Sequence, residues 1–441
     1  MLSSSHVDLG DALSRARDSL KDVRDRALAT DLVTGTLRWR GALDYQLQRL
    51  SAKPLARLDT EVLDALRLAA YQILYLERVP VSAVVNDAVQ LVKAARFYSA
   101  AGFVNAVLRR LAREREQLPW PSRPASIDSQ ADRRALIEHL SVVESHPAWL
   151  VERFVDRYGL ADAEAWLQFN NRPPAMTVAP NRLRITREDL SLRLTTEAVA
   201  TSPTPIAPFG LRVIEGRVLT SPSYQDGLCL VQDEASQLVP ELVQSAPGQH
   251  VLDACASPGG KTVALAASRP GLLVASDVRP RRVRLLAETL RRCRVPSVSI
   301  IHIPNRDALP FLNGSFDRIL VDAPCSGLGT VRRDPDIRWR RQPPDLARFA
   351  GEQRELLLRI RPLLSAGGRL IYSTCSSEPE ENESVVAAFL SEASEFAVVP
   401  LTALEGLSAS IVEMSTPEGF LRTTPREGLE AFFGAVLERR L

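Results

Sequence analysis

With 441 residues, 45% of them hydrophobic and 24% charged, the chain has the length of two or three domains and the composition of a soluble globular protein. It has no run of eighteen apolar residues, and its opening "MLSSSHVDLGDALSRARDSL" lacks a signal peptide's basic end and apolar centre, so a cytoplasmic protein without a membrane span is expected. A net charge of +2 announces no nucleic-acid partner, and five scattered cysteines, five separate histidines and no C-x-x-C pair argue against a disulfide framework or a metal site.

Residues up to about 118 read as helices: "TEVLDALRLAAYQILYLE" and "VVNDAVQLVKAA" carry apolar residues at three- and four-residue spacing. The proline-rich "QLPWPSRPAS" (117–126) reads as a linker, and a further helical stretch, "PAWLVERFVDRYGLADAEAWLQFNN", runs to Asn171 before "RPP" ends it. From about 175 to 236 the sequence turns to short β-like runs split by Pro and Gly. Then "VLDAC", "LLVASD", "SIIHI", "RILVDAP" and "GRLIYSTC" follow, apolar runs without clean alternation, separated by helix-like stretches. Such runs suit strands buried on both faces of a parallel sheet. The closing "FFGAVLERR" reads as one more strand, at an edge.

In such a sheet ligands bind beyond the carboxyl ends of the strands. The first strand, "VLDAC", runs into "ASPGGKT", whose glycines let a ligand approach the backbone. The next ends at Asp277, an acid about 20 residues further on, a spacing that suits a carboxylate accepting ribose hydroxyls. "GGKT" also looks like the tail of a phosphate-binding P-loop, but the first glycine of that pattern falls on Cys255. A nucleoside-bearing cofactor such as S-adenosylmethionine suits the turn better than a nucleoside triphosphate. Lysine occurs only at Lys21, Lys53, Lys93 and Lys261 in an otherwise arginine-based chain, so Lys261 marks a place where a compact ammonium is wanted.

Cys325 and Cys375 each sit just past the exit of an apolar strand, on the cofactor side, with Asp322 beside the first. A thiol next to a methyl donor suggests one reaction. Carbon 5 of a pyrimidine is a poor nucleophile until a thiolate adds at carbon 6, which makes it an enamine carbon able to take a methyl group; loss of the carbon-5 proton then frees the enzyme. That chemistry needs a nucleophilic thiolate, an acid near N3 and a group that helps release, and Cys375, Asp322 and Cys325 meet the three needs.

The strings "DACASPGGKT", "VDAPCSGLGTVRRDPDIRW" and "YSTCSSEPEEN" resemble the motifs of bacterial RsmB/Sun-type rRNA cytosine-5 methyltransferases, in the family that includes the eukaryotic NSUN enzymes. "QDEASQL" and "TPREGLEAFFGAVL" extend the likeness over about 230–441. "LVTGTLRWRGALDYQL" and "GFVNAVLRRLARER" resemble, more loosely, the NusB-like helical domain that precedes the catalytic part of such enzymes. The resemblance implies an all-α RNA-binding domain over 1–125, a helical connector over 126–172, a small α/β RNA-seating element over 173–240 and a Rossmann-like class I methyltransferase domain, mostly parallel with helices on both faces, over 241–441. It implies Cys375 as nucleophile, Cys325 in release or proton removal, and Asp322 near methyl donor and target base. It places the S-adenosylmethionine loop on Cys255, Ala256, Ser257, Pro258, Gly259, Gly260 and Lys261, with Asp277 on the ribose and Lys261 in the same catalytic pocket. Where the family usually has an acid near adenine this chain has Asn305, with Asp307 close by; an asparagine amide can still hydrogen-bond the base.

The partner implied is small-subunit rRNA, bound by a monomer. Of the arginine clusters, "RRDPDIRWRR" (332–341) follows the Cys325 motif directly, which points to Arg332, Arg333 and Arg338 as phosphate contacts and Trp339 as a stacking platform. Two other readings stay open: a P-loop-like NTPase and a catalytically silent rRNA-binding assembly factor.

Overall fold

The computed structural model describes residues 9–304 and 308–440. Asn305 and Asp307, the two candidates for the adenine edge, lie outside the described residues. The chain divides into two compact units: Met1–Pro173 with Val331–Arg341, and Pro174–Thr330 with Gln342–Leu441.

The first unit is helical. Helix Thr60–Tyr75 buries Val62, Ala65, Leu66, Ala69, Ala70 and Ile73, and helix Ala101–Glu114 buries Val104, Val107, Leu108 and Leu111. These stripes recur at three and four residues and meet the buried face of Val81–Ala94 in one apolar core. Each fully buried leucine there contributes roughly 1.5–3 kcal/mol relative to exposure. The helical run expected up to Asn171 is two helices, Ala148–Tyr158 and Leu160–Asn171, because Gly159 takes φ 75° between them. The connector expected over 126–172 is counted in this unit with the amino-terminal helices.

The second unit holds two sheets. In the smaller, β1 (Thr177–Pro180), β2 (Ala200–Pro203), β3 (Leu211–Glu215) and β4 (Cys229–Val231) lie antiparallel in the order β2-β3-β1-β4. The larger contains β5 (His250–Asp253), β6 (Leu272–Asp277), β7 (Val298–His302), β8 (Phe316–Asp322), β9 (Leu364–Thr374), β10 (Phe396–Val398), β11 (Leu421–Arg422) and β12 (Phe433–Arg439). Its order is β10-β12-β9-β8-β5-β6-β7, with β11 paired to β12; β5 to β9 are mutually parallel and β12 is antiparallel to both neighbours. The strand order reverses between β5 and β8, which places a crevice at their carboxyl ends.

One expectation is corrected. β12 is not an edge strand: it lies between β9 and β10, and Phe433 to Leu437 are all buried. The edge on that side is β10, three residues long, which pairs Phe396–Val398 with Arg439–Leu437.

Candidate active site

The crevice is built from the ends of β5, β6, β8 and β9. Past β5, the backbone of Ala256 donates to Ser276 O at 2.9 Å, tying the turn to β6. Gly259 takes φ 109°, so the turn before helix Gly260–Ala266 favours glycine, and a Cβ there would also sit close, at 3.0 Å, to Leu286 Cδ1. Asp253 ends β5 almost fully buried; its Oδ2 accepts from Thr262 Oγ1 at 2.7 Å, and burial pushes its carboxyl up to about 7. Asp253 Oδ1 and Ser257 Oγ are buried with no hydrogen-bond partner among the described residues. Asp277, at the end of β6 and 5% exposed, accepts from Arg279 N at 3.2 Å and lies 3.4 Å from Arg282 Nε. Cys255 is partly exposed, and burial of its sulfur raises the thiol well above its usual range.

Asp322 closes β8. Its Oδ2 accepts from Lys261 Nζ at 2.7 Å and its Oδ1 from Ser373 Oγ at 2.9 Å; Lys261 Nζ also donates to Ser236 Oγ at 3.0 Å. Burial pulls the Lys261 ammonium down, but Asp322 and then Asp253 outweigh it and hold it above its ordinary value, so it is charged at neutral pH. The single lysine of the carboxyl-terminal half is thus the counter-ion of the acid between cofactor turn and cysteines.

The two cysteines meet. Cys325 Sγ and Cys375 Sγ are 3.3 Å apart, within reach of an S–H···S hydrogen bond. The hydrogen bond to Cys375 and then burial hold the Cys325 thiol well above its usual range, so Cys325 keeps its proton at neutral pH. The loops are joined by Gly329 N donating to Cys375 O at 3.0 Å. A Cβ at Gly329 would lie 2.8 Å from that oxygen and 2.0 Å from Ala431 O, so this approach also requires glycine.

The structure thus brings Cys375, Cys325, Asp322 and Lys261 together at the carboxyl ends of the strands, next to the turn over Cys255–Gly260. The sequence reading missed Ser236, within the "QDEASQL" string, and Ser373, beside Cys375; both were inside quoted motifs, and only the fold shows that they bond Lys261 and Asp322.

The expected RNA contacts of 332–341 divide. Arg338 is corrected: it is fully buried in the helical unit, where Nη1 donates to Ser145 O at 3.0 Å and Asn171 Oδ1 at 2.9 Å, and Nη2 to Asn170 O at 3.1 Å. A guanidinium so enclosed cannot meet a phosphate. Trp339 donates its indole N–H to Leu37 O at 2.6 Å with Arg40 over its ring at 5.5 Å, so its ring is packed against the helices and is no free stacking platform. Arg332 and Arg333 are partly exposed; Arg332 Nη2 donates to Pro173 O at 2.9 Å.

Comparison with known proteins decides the family. Residues 240–438 match the family described as "16S rRNA methyltransferase RsmB/F", residues 5–113 the "NusB family", and residues 146–219 the "Methyltr_RsmF/B-like, ferredoxin-like domain". The chain is 35% identical over 424 residues to the "Probable ribosomal RNA small subunit methyltransferase B" of Bacillus subtilis, covering 95% of this chain and 91% of that protein. The chain belongs to the RsmB/F methyltransferase family. It is also 36% identical to the "Ribosomal RNA small subunit methyltransferase B" of Pseudomonas putida, over 88% of this chain and 86% of that one. A solved structure of a "Methyltransferase Homolog Protein" from Pyrococcus horikoshii superimposes with a TM-score of 0.57 at 28% identity, covering 68% of this chain and 97% of the other.

As an RsmB/F methyltransferase the chain has a Rossmann-like catalytic fold, a NusB-like helical domain and S-adenosylmethionine as cofactor. The residues fit that cofactor. The unpartnered Asp253 Oδ1 and Ser257 Oγ offer polar contacts, the Asp277 carboxylate can accept ribose hydroxyls, and the glycine turn gives room for close approach. No helix among the described residues is long and apolar enough to cross a membrane.

Proposed function

We propose that the chain methylates carbon 5 of a cytosine in small-subunit rRNA through a transient bond between Cys375 Sγ and carbon 6 of the base. The observation that carries this reading is the pair of sulfurs 3.3 Å apart at the exits of two neighbouring strands, with the Lys261–Asp322 ion pair beside them.

S-adenosylmethionine supplies an electrophilic methyl group on a sulfonium, and Cys255 to Lys261, Asp277 and Asp322 are the residues that would hold it. The Cys375 thiolate adds to carbon 6 and forms the S–C bond, while the displaced electron pair moves through the ring towards N3. The Lys261 ammonium, held in place by Asp322, supplies positive charge that offsets the negative charge developing on the ring. Carbon 5 then carries the new methyl group and one proton to lose. Removal of that proton by a base sends its electron pair into the ring, breaks the C–S bond and returns Cys375 as a thiolate. Cys325, which keeps its proton, hydrogen-bonds the departing sulfur. Covalent catalysis of this kind splits one hard step into easier ones.

Of the four contacts expected in the 332–341 run, Arg332 and Arg333 are the two whose partial exposure suits phosphate contacts. The NusB-like domain and the small β1–β4 sheet are further candidates for RNA-bearing surface.

The test is bisulfite sequencing of small-subunit rRNA from cells with and without the gene, combined with methyl transfer by the purified protein. A cytosine protected only when the gene is present supports the reading. An rRNA whose cytosines are unchanged, or label on a ring nitrogen or ribose, would overturn it.

A further inference from the structure

Glu381 lies in the 3-10 turn Pro379–Glu381 that follows the Cys375 loop, and it is fully buried. An isolated buried carboxylate is strongly unfavourable unless donors surround it, and here each oxygen has two. Oε1 accepts from Ser326 N at 2.7 Å and from Gln353 Nε2 at 3.1 Å; Oε2 accepts from Ser376 Oγ at 2.6 Å and from Ser326 Oγ. Burial pushes the carboxyl up and these donors draw it back, leaving it above the usual carboxylate range.

The identity of the donors is what matters. Ser326 follows Cys325 in the chain, and Ser376 follows Cys375. Gln353 also donates to Pro324 O at 3.0 Å, so the residues on both sides of Cys325 are gripped. Gln353 is in turn held near Tyr372, whose hydroxyl has two acceptors for its one proton, Glu381 O at 2.5 Å and Gln353 Oε1 at 3.1 Å. Ser326, Gln353, Tyr372, Ser376 and Glu381 are each at most 1% exposed, so none of them can touch RNA or cofactor. Their grip ends one residue away from each sulfur.

We propose that Glu381 is a positioning residue for both cysteines: its carboxylate clamps the serine after each one and thereby sets the distance between the two sulfurs. A side chain outside the reacting set then governs whether Cys325 stands close enough to share a hydrogen bond with Cys375. The assignment rests on the reading of Cys375 and Cys325 as the working thiols, but the separation it controls can be measured without that reading.

The experiment compares the full-length protein with Glu381→Ala and Glu381→Gln, using diamide as the probe. Diamide takes up the two thiol hydrogens and joins neighbouring cysteines, and peptide mapping reports the rate at which Cys325 and Cys375 are linked. Glutamine can place its carbonyl where Oε1 accepts and its amide where the two serine hydroxyls turn to accept from it. Glu381→Ala should slow both the linkage and methyl transfer by at least about tenfold, as expected for a misplacement on the order of 1 Å, while S-adenosylhomocysteine affinity stays within about threefold. Glu381→Gln should recover most of both rates. Equal linkage rates in wild type and Glu381→Ala would overturn the proposal. If Glu381→Ala does not fold, the double variant Ser326→Ala/Ser376→Ala decides in the same assay. Should Cys375→Ala keep full methyl transfer while Glu381→Ala still slows linkage, the catalytic reading fails and the clamp stands.

Discussion

Cys325 Sγ and Cys375 Sγ, fifty residues apart in sequence, lie 3.3 Å apart at the exits of β8 and β9. Their closeness makes the two thiols chemically unequal, because the hydrogen bond to Cys375 and burial keep the proton on Cys325. The inequality can be read by substitution. Cys375→Ala should abolish methyl transfer and leave S-adenosylhomocysteine affinity within about threefold, since only the reacting group is lost. Cys325→Ala should permit addition and slow release, so that a denaturant-resistant protein–RNA adduct accumulates on gels. An adduct in the Cys375 variant and none in the Cys325 variant would reverse the roles.

Lys261 stands 2.7 Å from Asp322, and a bulkier cation does not reproduce a compact ammonium held between an acid and the Ser236 hydroxyl. Lys261→Met should lower kcat by about a hundredfold or more, the scale of removing one charge-stabilising group, and Lys261→Arg should recover little of it. Single-turnover methyl transfer checks both, and full recovery by arginine would show that charge alone suffices.

Asp277→Ala removes the carboxylate at the end of β6 proposed to hold the cofactor ribose. Loss of a charged hydrogen-bonding partner of about 1.5–3 kcal/mol should weaken S-adenosylhomocysteine binding roughly 10- to 100-fold in calorimetry. Thiol linkage by diamide should be unchanged, because the thiol pair is positioned from the opposite side of Asp322.

Asp253 gives a pH signature. Its carboxyl is raised by burial to about 7 in the folded chain, so the native state holds a proton that the unfolded chain releases near pH 4. Its contribution is therefore fully present below the unfolded value and is lost as pH rises through about 7, and stability falls with pH across that window. Asp253→Asn should flatten this part of the curve of Tm against pH. Glu241, also raised to about 7 by burial, titrates in the same direction and remains in both proteins, so the difference between the two curves isolates Asp253.

Arg338→Ala should act on the fold and not on RNA. It strands the carbonyls of Ser145 and Asn170 and leaves a void, a loss of about 2–4 kcal/mol in urea unfolding of the helical unit. The salt dependence of RNA binding by the folded variant should match wild type, whereas Arg333→Ala, if it removes a phosphate contact, should reduce the slope by about one unit.

Much of the catalytic fold was legible because strands buried on both faces carry a plain signal. β6, β8 and β9 read as continuous apolar runs, and the chemistry sits where each run stops. The cysteine pair was legible for the same reason: two thiols at neighbouring strand exits must come near each other. Partners from distant elements were hidden. Gln353 sits on helix Pro343–Ile360, 28 residues before Glu381, and no local spacing announces that they meet. Arg338 misled because an arginine-rich run after a catalytic motif reads as a solvent-facing surface, while its acceptors lie 167 to 193 residues earlier. The place of β12 was hidden as well, since antiparallel insertion between β9 and β10 depends on pairing and leaves no trace in the strand's own pattern.

The assignment of Val331–Arg341 to the helical unit has a consequence for biosynthesis. A ribosome completes residue 173 long before it reaches residue 338, so the nascent amino-terminal helices must wait, with the acceptors of Ser145, Asn170 and Asn171 still wet, until β5 to β8 have been made. Maturation of the first-made part is in this way tied to translation through the Cys325 motif. A truncated product ending before that point would carry an unfinished amino-terminal unit, open to proteolysis.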